Sequence, residues 1–105
     1  MSMFDMMKKL QEAQQKMGES KARLETITVE GKSPEGLIKV TANGNRVIKG
    51  ITFASNSILQ DKDQLEDYMI IAVNDALAQA EKVNEAEMKN AASGMMPGLG
   101  SMFGG

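Results

Sequence analysis

The spacing of apolar residues at the start of the chain predicts a long helix, from about Ser2, its candidate N-cap, to Thr26. Apolar residues recur every seven positions, at Met3, Leu10, Met17 and Leu24. A second apolar track runs beside them through Met6, Met7, Ala13 and Ile27. At 1.5 Å per residue this helix is about 37 Å long, whereas a compact domain of this size has a radius of gyration of about 13 Å. We therefore expect the helix to overhang its own core.

The apolar period then changes to two, which predicts three antiparallel strands over residues 26–30, 37–42 and 46–53. In the second strand, Ile38, Val40 and Ala42 share one face. In the third, the shared face holds Val47, Ile51 and Phe53, with Lys49 interrupting it and Gly50 as a candidate β-bulge. Asn43-Gly44 between these strands predicts a tight type I′ turn.

Helical spacing returns after a connector at 55–60. The apolar stripe of this second helix consists of Leu65, Met69, Ala72, Val73, Ala76, Ala80 and Val83. Asp61 or Asp63 is its candidate N-cap, and we expect it to end near Ala92. Residues 93–105 contain five Gly, one Pro and three Met, which predicts a flexible tail. The pattern thus indicates one α+β domain over residues 1–92, in the order α-β-β-β-α.

The composition of the 105 residues argues against an enzyme. The sequence has no Cys and no His, which excludes disulfides, Cys/His zinc sites, thiol nucleophiles and Ser-His-Asp triads within it. Aromatic residues make up only 4%, too few for a platform that stacks single-stranded bases. No apolar run approaches the roughly 18 residues of a membrane span. We expect a soluble cytoplasmic protein with no cofactor, metal or small-molecule substrate.

Two clusters have competing interpretations. The carboxylates Asp61, Asp63, Glu66 and Asp67 suit either a divalent metal or a helix N-terminus, and the helix dipole favours the second. Their spacing matches no calcium loop. The methionines of the first helix suit either an adaptable core or dimer seam, which we favour, or a groove that binds peptides.

Charge is distributed unevenly along the chain. Residues 1–49 hold nine Lys and Arg against six Asp and Glu, and residues 50–105 hold three against eight, for an overall charge of −2. The basic positions are candidates for contact with DNA phosphates, which needs only point charges on long stems. They are Lys8, Lys9, Lys16, Lys21, Arg23, Lys39, Arg46 and Lys49. The alternative is a solvated face, because glutamates are interleaved with the lysines. In the DNA-binding interpretation, the acids of the second helix are expected to face away.

The apolar positions also give a set of candidate core or dimer residues. An extended domain with a small sheet buries little of its own surface, so part of this set is expected to meet a second copy. The set is Leu10, Met17, Leu24, Ile38, Val40, Val47, Ile51, Leu65, Met69 and Val73.

Several segments, in their order and spacing, resemble the YbaB/EbfC family of bacterial nucleoid-associated proteins. They are the run Gly36–Gly44, the segment Leu65–Asp67, the segment Ala72–Ala76, the Gln/Met/Lys-rich stretch Met6–Met17 and the Gly-Met-Pro segment Gly94–Gly98. The connector Phe53–Leu59 departs from the family, since it lacks the usual Asp-Pro.

The resemblance implies a homodimer of α-β-β-β-α subunits whose paired helices project like tweezers. It also implies binding to double-stranded DNA in the bacterial nucleoid, and it brings no catalytic residues. The alternative is a non-enzymatic protein-interaction module that uses the Met-rich helices and the tail.

Overall fold

A computed structural model describes residues 2–95 and has the predicted α-β-β-β-α order. Its elements are α1 (Met3–Glu25), β1 (Thr28–Lys32), β2 (Ile38–Asn43), β3 (Ile48–Phe53) and α2 (Lys62–Met95). Short 3₁₀ turns at Pro34–Gly36 and Asn56–Gln60 connect them. Helix α2 continues three residues beyond the predicted end at Ala92. The remainder of the predicted tail lies outside the described residues.

Both helices begin where side-chain capping was expected. The Asp5 backbone N–H donates a hydrogen bond to Ser2 Oγ at 3.2 Å, which caps α1. At α2, the Gln64 N–H donates to Asp61 Oδ1 at 3.1 Å. Of the two candidate caps for α2, Asp61 is therefore the one used.

The three strands form one antiparallel sheet in the order β1-β2-β3. Val40 pairs with Ile51 and Ala42 pairs with Ile48, so one extra residue of β3 is accommodated between them. This irregularity confirms the bulge expected at Gly50. It also corrects the predicted face of β3. Because the bulge changes the alternation of side chains, Ile48 rather than Val47 shares a face with Ile51 and Phe53.

The predicted type I′ turn at Asn43-Gly44 is wrong. Arg46 N–H donates to the Asn43 carbonyl at 3.0 Å, and Arg46 is the loop residue with positive φ, at 65°. This is the three-residue hairpin loop that ends in a left-handed residue. Gly44 is required for a different reason. A Cβ there would lie 2.7 Å from Leu24 Cδ2 and 2.9 Å from the Leu24 carbonyl oxygen.

The core lies between α2 and the first two strands. Its buried members are Ile38, Val40, Ala42, Ile58, Ala72, Ala76 and Ala80. Leu65, Met69 and Val73 pack against it half-buried, and Leu24 is fully buried at the end of α1. Small residues let α2 approach β1 closely. Strand β3 lies beyond the reach of this packing, so its apolar residues stay exposed.

Helix α1 projects from the core, as its length predicted. It runs antiparallel to α2, with Arg23 beside Glu87. The molecule measures 66 × 26 × 18 Å and has a radius of gyration of 19.2 Å, well above the value of about 13 Å for a compact domain of this size. The outer half of α1 is therefore a surface helix with little lateral support.

A pair of glycine substitutions tests the close approach of α2 to β1. A Cβ at Gly31 would lie 2.1 Å from the Ala76 nitrogen and 2.4 Å from the Ala72 carbonyl oxygen. Both are backbone atoms, so Gly31→Ala is expected to lower the free energy of unfolding by about 1–3 kcal/mol. Gly18→Ala meets nothing within 4 Å and is expected to raise it by about 0.5–1 kcal/mol. Urea denaturation measures both; equal stability of the two variants would contradict the packing described.

Candidate nucleic-acid interface

The outer half of α1 carries the most accessible basic side chains. Lys8, Lys9 and Lys16 are exposed and form no ion pair within residues 2–95. At about 100° per residue, the three lie within roughly 100° of each other around the helix. Asp5 and Glu12 border the same shallow concavity as Lys8 and Lys9. Any anion bound here must therefore be reached by the longer lysine stems beyond those carboxylates.

Arg23 is held by α2 rather than left free. Its Nε donates to Glu87 Oε1 at 2.8 Å, and its guanidinium also donates to the Ser20 hydroxyl at 3.2 Å. The hydrogen bond from Arg23 lowers the pKa of Glu87 below the ordinary value of 4.5. This ion pair joins α1 to α2 near the inner end of their antiparallel contact.

Arg46 is engaged in the same way at the tip of the β2–β3 hairpin. Its guanidinium forms an ion pair and hydrogen bond with Glu81 of α2. Nearby, Asn45 Nδ2 donates to the Lys21 carbonyl at 3.0 Å, which ties the hairpin to α1. The exposed Lys21 borders the same concavity as Arg46, so these two candidates are brought together.

The acids of α2 do not all face away from the basic residues, contrary to expectation. Glu81 and Glu87 point at Arg46 and Arg23 and neutralise them. Sequence reasoning missed both partners because each lies more than 30 positions from its arginine. In the sequence, Glu81, Asn84 and Glu87 follow one another at intervals of three along α2.

Lys39 and Lys49 are separate from the α1 lysines. Lys39 alternates with the core residues Ile38 and Val40, so it lies on the open face of the sheet, opposite Lys32 and Thr52. Lys49 is exposed at the bulge of β3. Lys32 was not among the predicted positions, and it pairs with Glu30 at 3.5 Å. The basic candidates therefore form a group on outer α1, a second group at the hairpin tip and isolated positions on the sheet.

An apolar face accompanies these charges along the β3 side of the protomer. Ile48, Ile51 and Phe53 are exposed although they point to the core side of the sheet. Met17 and Met88 border the concavity beside Arg46, which places them on this side as well. Four of the predicted core or dimer residues thus stay exposed in the protomer: Leu10, Met17, Val47 and Ile51. They are not core residues of a single chain, and their role in a dimer stays a prediction.

Comparison with known proteins places the chain in a family. Residues 1–95 match the YbaB/EbfC DNA-binding family, and the chain belongs to that family. A nucleoid-associated protein of Flavobacterium johnsoniae is 40% identical over 102 residues, covering 97% of this chain and 95% of the relative. One of Chlorobaculum tepidum is 35% identical, covering 96% and 92%.

A solved structure shows the same fold. The crystal structure of an uncharacterised Helicobacter pylori protein superimposes with a TM-score of 0.78 at 20% identity, covering 86% of this chain and 96% of that one. Across residues 2–95, neither helix combines the length and apolar character that crossing a membrane requires.

The Arg23–Glu87 pair generates a pH prediction. The folded protein binds a proton on Glu87 more weakly than the unfolded chain does, so the stabilisation is complete above the ordinary pKa of 4.5 and is lost as pH falls through the lowered value. Glu87→Gln is therefore expected to melt below wild type at pH 7, with the difference shrinking as pH falls below the ordinary pKa of 4.5. Circular dichroism measures both melting temperatures.

The matched control is Glu85→Gln, because Glu85 is an exposed neighbour on the same helix. It is expected to track wild type at every pH. A Glu87→Gln variant as stable as wild type at neutral pH would show that the pair contributes nothing.

Proposed function

We propose that the protein is a non-enzymatic nucleoid-associated protein that binds double-stranded DNA as a homodimer in the bacterial cytoplasm. Contacts are mainly to phosphates, with little preference for base sequence. The observation that carries this proposal is the projecting end of α1, where Lys8, Lys9 and Lys16 are exposed without ion-pair partners in the described chain. Membership of a DNA-binding family supports it.

The overall charge of −2 repels a duplex, so attraction must come from a local surface. Fields between exposed charges are screened within about 8–10 Å at physiological salt. The outer end of α1 extends away from most of the acidic α2. Asp5 and Glu12 lie beside Lys8 and Lys9, so the attraction depends on lysine stems that reach beyond these carboxylates. A homodimer presents each lysine twice, which doubles the number of phosphate contacts.

A weak preference for DNA base sequence is expected because the arginines are engaged in ion pairs. Bidentate Arg–guanine contacts are among the commonest ways to read a base. The chain has two arginines, Arg23 and Arg46, and both are held by glutamates of α2. Lysines as point charges position a protein on the backbone without reading sequence.

The homodimer is supported by the apolar face on the β3 side. Ile51 is 42% exposed and Phe53 38% exposed, although both belong to the core side of the sheet. Covering them with the same face of a second copy would make a two-fold, self-complementary interface. The paired α1 helices would then project together, as in the tweezer arrangement implied by the family resemblance.

Charge reversal tests the DNA contacts. Three lysines in each of two protomers give a slope of about −5 for log K against log salt, at about −0.9 per phosphate. Combined Lys8→Glu, Lys9→Glu and Lys16→Glu substitutions are expected to weaken binding to all duplexes alike and to flatten that slope. Fluorescence anisotropy with two unrelated duplexes, titrated with salt, measures both effects.

The matched control carries the same charge change on α2, as Lys62→Glu, Lys82→Glu and Lys89→Glu. It is expected to keep most of the salt slope, because acids surround these lysines. An unchanged affinity and slope in the α1 variant would reject this surface. Absence of duplex binding by wild type at low salt would favour the protein-interaction module, whose basis is the exposed methionines of α1.

A substitution on β3 tests the dimer. Ile51→Asp places a charge on a side chain that is half-exposed in the protomer, so the fold is expected to survive while pairing is lost. Light scattering should give twice 11.4 kDa for wild type and 11.4 kDa for the variant. Thr52→Asp, on the open face of the same strand, should remain dimeric. A monomeric wild type at micromolar concentration would contradict the dimer.

A further inference from the structure

An uncovered apolar surface lies on the outer half of α1. We call it the outer stripe, and it consists of Met3, Met6, Met7 and Leu10. These side chains are 78%, 60%, 55% and 62% exposed. Their spacing of three and four residues places them on one side of the helix. Contiguous exposed apolar side chains of this size on a helix are typical of a surface that something covers.

Helix α2 ends where the outer stripe begins. Ser20 and Arg23 of α1 lie beside Glu87 of α2, and one turn further out Lys16 borders the same concavity as Asn90 and Ala91. The helices are antiparallel, so another turn brings Met95, the last helical residue, alongside about Glu12. The chain therefore leaves α2 level with the start of the outer stripe and heads towards Met3. It does so on the side of α1 that carries Ser20 and Lys16, about a quarter turn or more around the helix from the centre of the stripe.

We propose that residues 96–105 bind the outer stripe of α1 in their own chain. The ten residues include Met96, Leu99, Met102 and Phe103 and contain no Lys, Arg, Asp or Glu. An uncharged segment with four large apolar side chains is chemically suited to four large apolar side chains on α1. Continuing in the direction of α2, the segment reaches the stripe by crossing about a quarter turn of α1.

The distances allow this contact. From Glu12 to Met3 the helix axis rises about 14 Å, at 1.5 Å per residue. Ten residues span at most about 33 Å when extended, so the segment reaches the end of the stripe with length to spare. The surplus accommodates the bends that Pro97 and Gly98 introduce.

A segment joined to α2 has an advantage over a second copy of the chain. Its effective concentration at the stripe is of millimolar order, because the connection is short. The second copy proposed above engages Ile51 and Phe53, which belong to the sheet and not to the projecting end of α1. Lys8 lies roughly 150° around the helix from the centre of the stripe and stays free, whereas Lys9 and Lys16 lie on the side from which the segment arrives. This inference is independent of DNA binding.

A single spin label tests the contact in the full chain without DNA. The chain has no Cys, so Ser101→Cys gives one site for a nitroxide. With the label oxidised, the ¹⁵N amide signals of residues 3–10 are expected to lose at least half of their intensity relative to the reduced sample. Signals of residues 19–25, deeper in the molecule, are expected to keep theirs. Uniform loss along the chain, or none at residues 3–10, would overturn the proposal.

Two controls make the outcome specific. Adding Leu99→Ser and Phe103→Ser to the labelled protein should restore the signals of residues 3–10, because the apolar contacts are removed. Because these substitutions leave α1 unchanged, recovery of the signals of residues 3–10 supports the proposal. Signals that stay weak would overturn it. A mixture of labelled ¹⁴N chains and unlabelled ¹⁵N chains shows whether the segment binds its own chain or a second copy. Equal loss in the mixture would show that the segment crosses to a second copy, contrary to the proposal.

Discussion

The direction of α1 depends on the contact between Gly44 and Leu24. The Gly44 N–H donates to the Leu24 carbonyl at 2.9 Å, and the Ile27 N–H, just past the helix end, donates to the same carbonyl at 3.3 Å. Asn84 Nδ2 of α2 donates to the Gly44 carbonyl at 3.0 Å. One backbone unit of the hairpin therefore joins both helices to the sheet. Any side chain at position 44 would push α1 away from this junction, and the lysines at its outer end would move with it.

The packing of α2 explains why so small a core suffices. Gly31, Ala72 and Ala76 bring the helix backbone against β1, where Lys32 N–H also donates to Asp75 Oδ2 at 2.9 Å. Close approach of small residues keeps atoms within van der Waals contact over many pairs. A helix packed this closely on β1 and β2 does not extend over β3, so β3 stays uncovered. The exposed face proposed for dimerisation is thus a consequence of how tightly α2 is seated.

Local patterns predicted the elements well, because helical and two-residue periods are properties of neighbouring positions. The caps at Ser2 and Asp61 and the bulge at Gly50 are local in the same sense. The turn type was not predictable, because the close contact with Leu24 overrides the preference of Asn-Gly for a type I′ turn. Among the candidate site residues, the pairing of Arg23 and Arg46 depends on side chains brought together only by the antiparallel packing of α1 on α2. The exposure of Leu10 and Met17 could not be predicted either. A heptad pattern shows which residues share one face of a helix, but it does not show what packs against that face.

The sheet holds α1 near Leu24 and α2 runs beside it as far as about Glu12, so only the outermost nine residues, about 14 Å of helix, are held at one end alone. This part of α1 behaves mechanically as a lever. A rotation of 10° about Glu12 would displace the outer tip by about 2 Å, at the helix rise of 1.5 Å per residue. In the dimer proposed above, two such levers would form a gap of adjustable width, able to follow a duplex whose groove dimensions change from one sequence to the next.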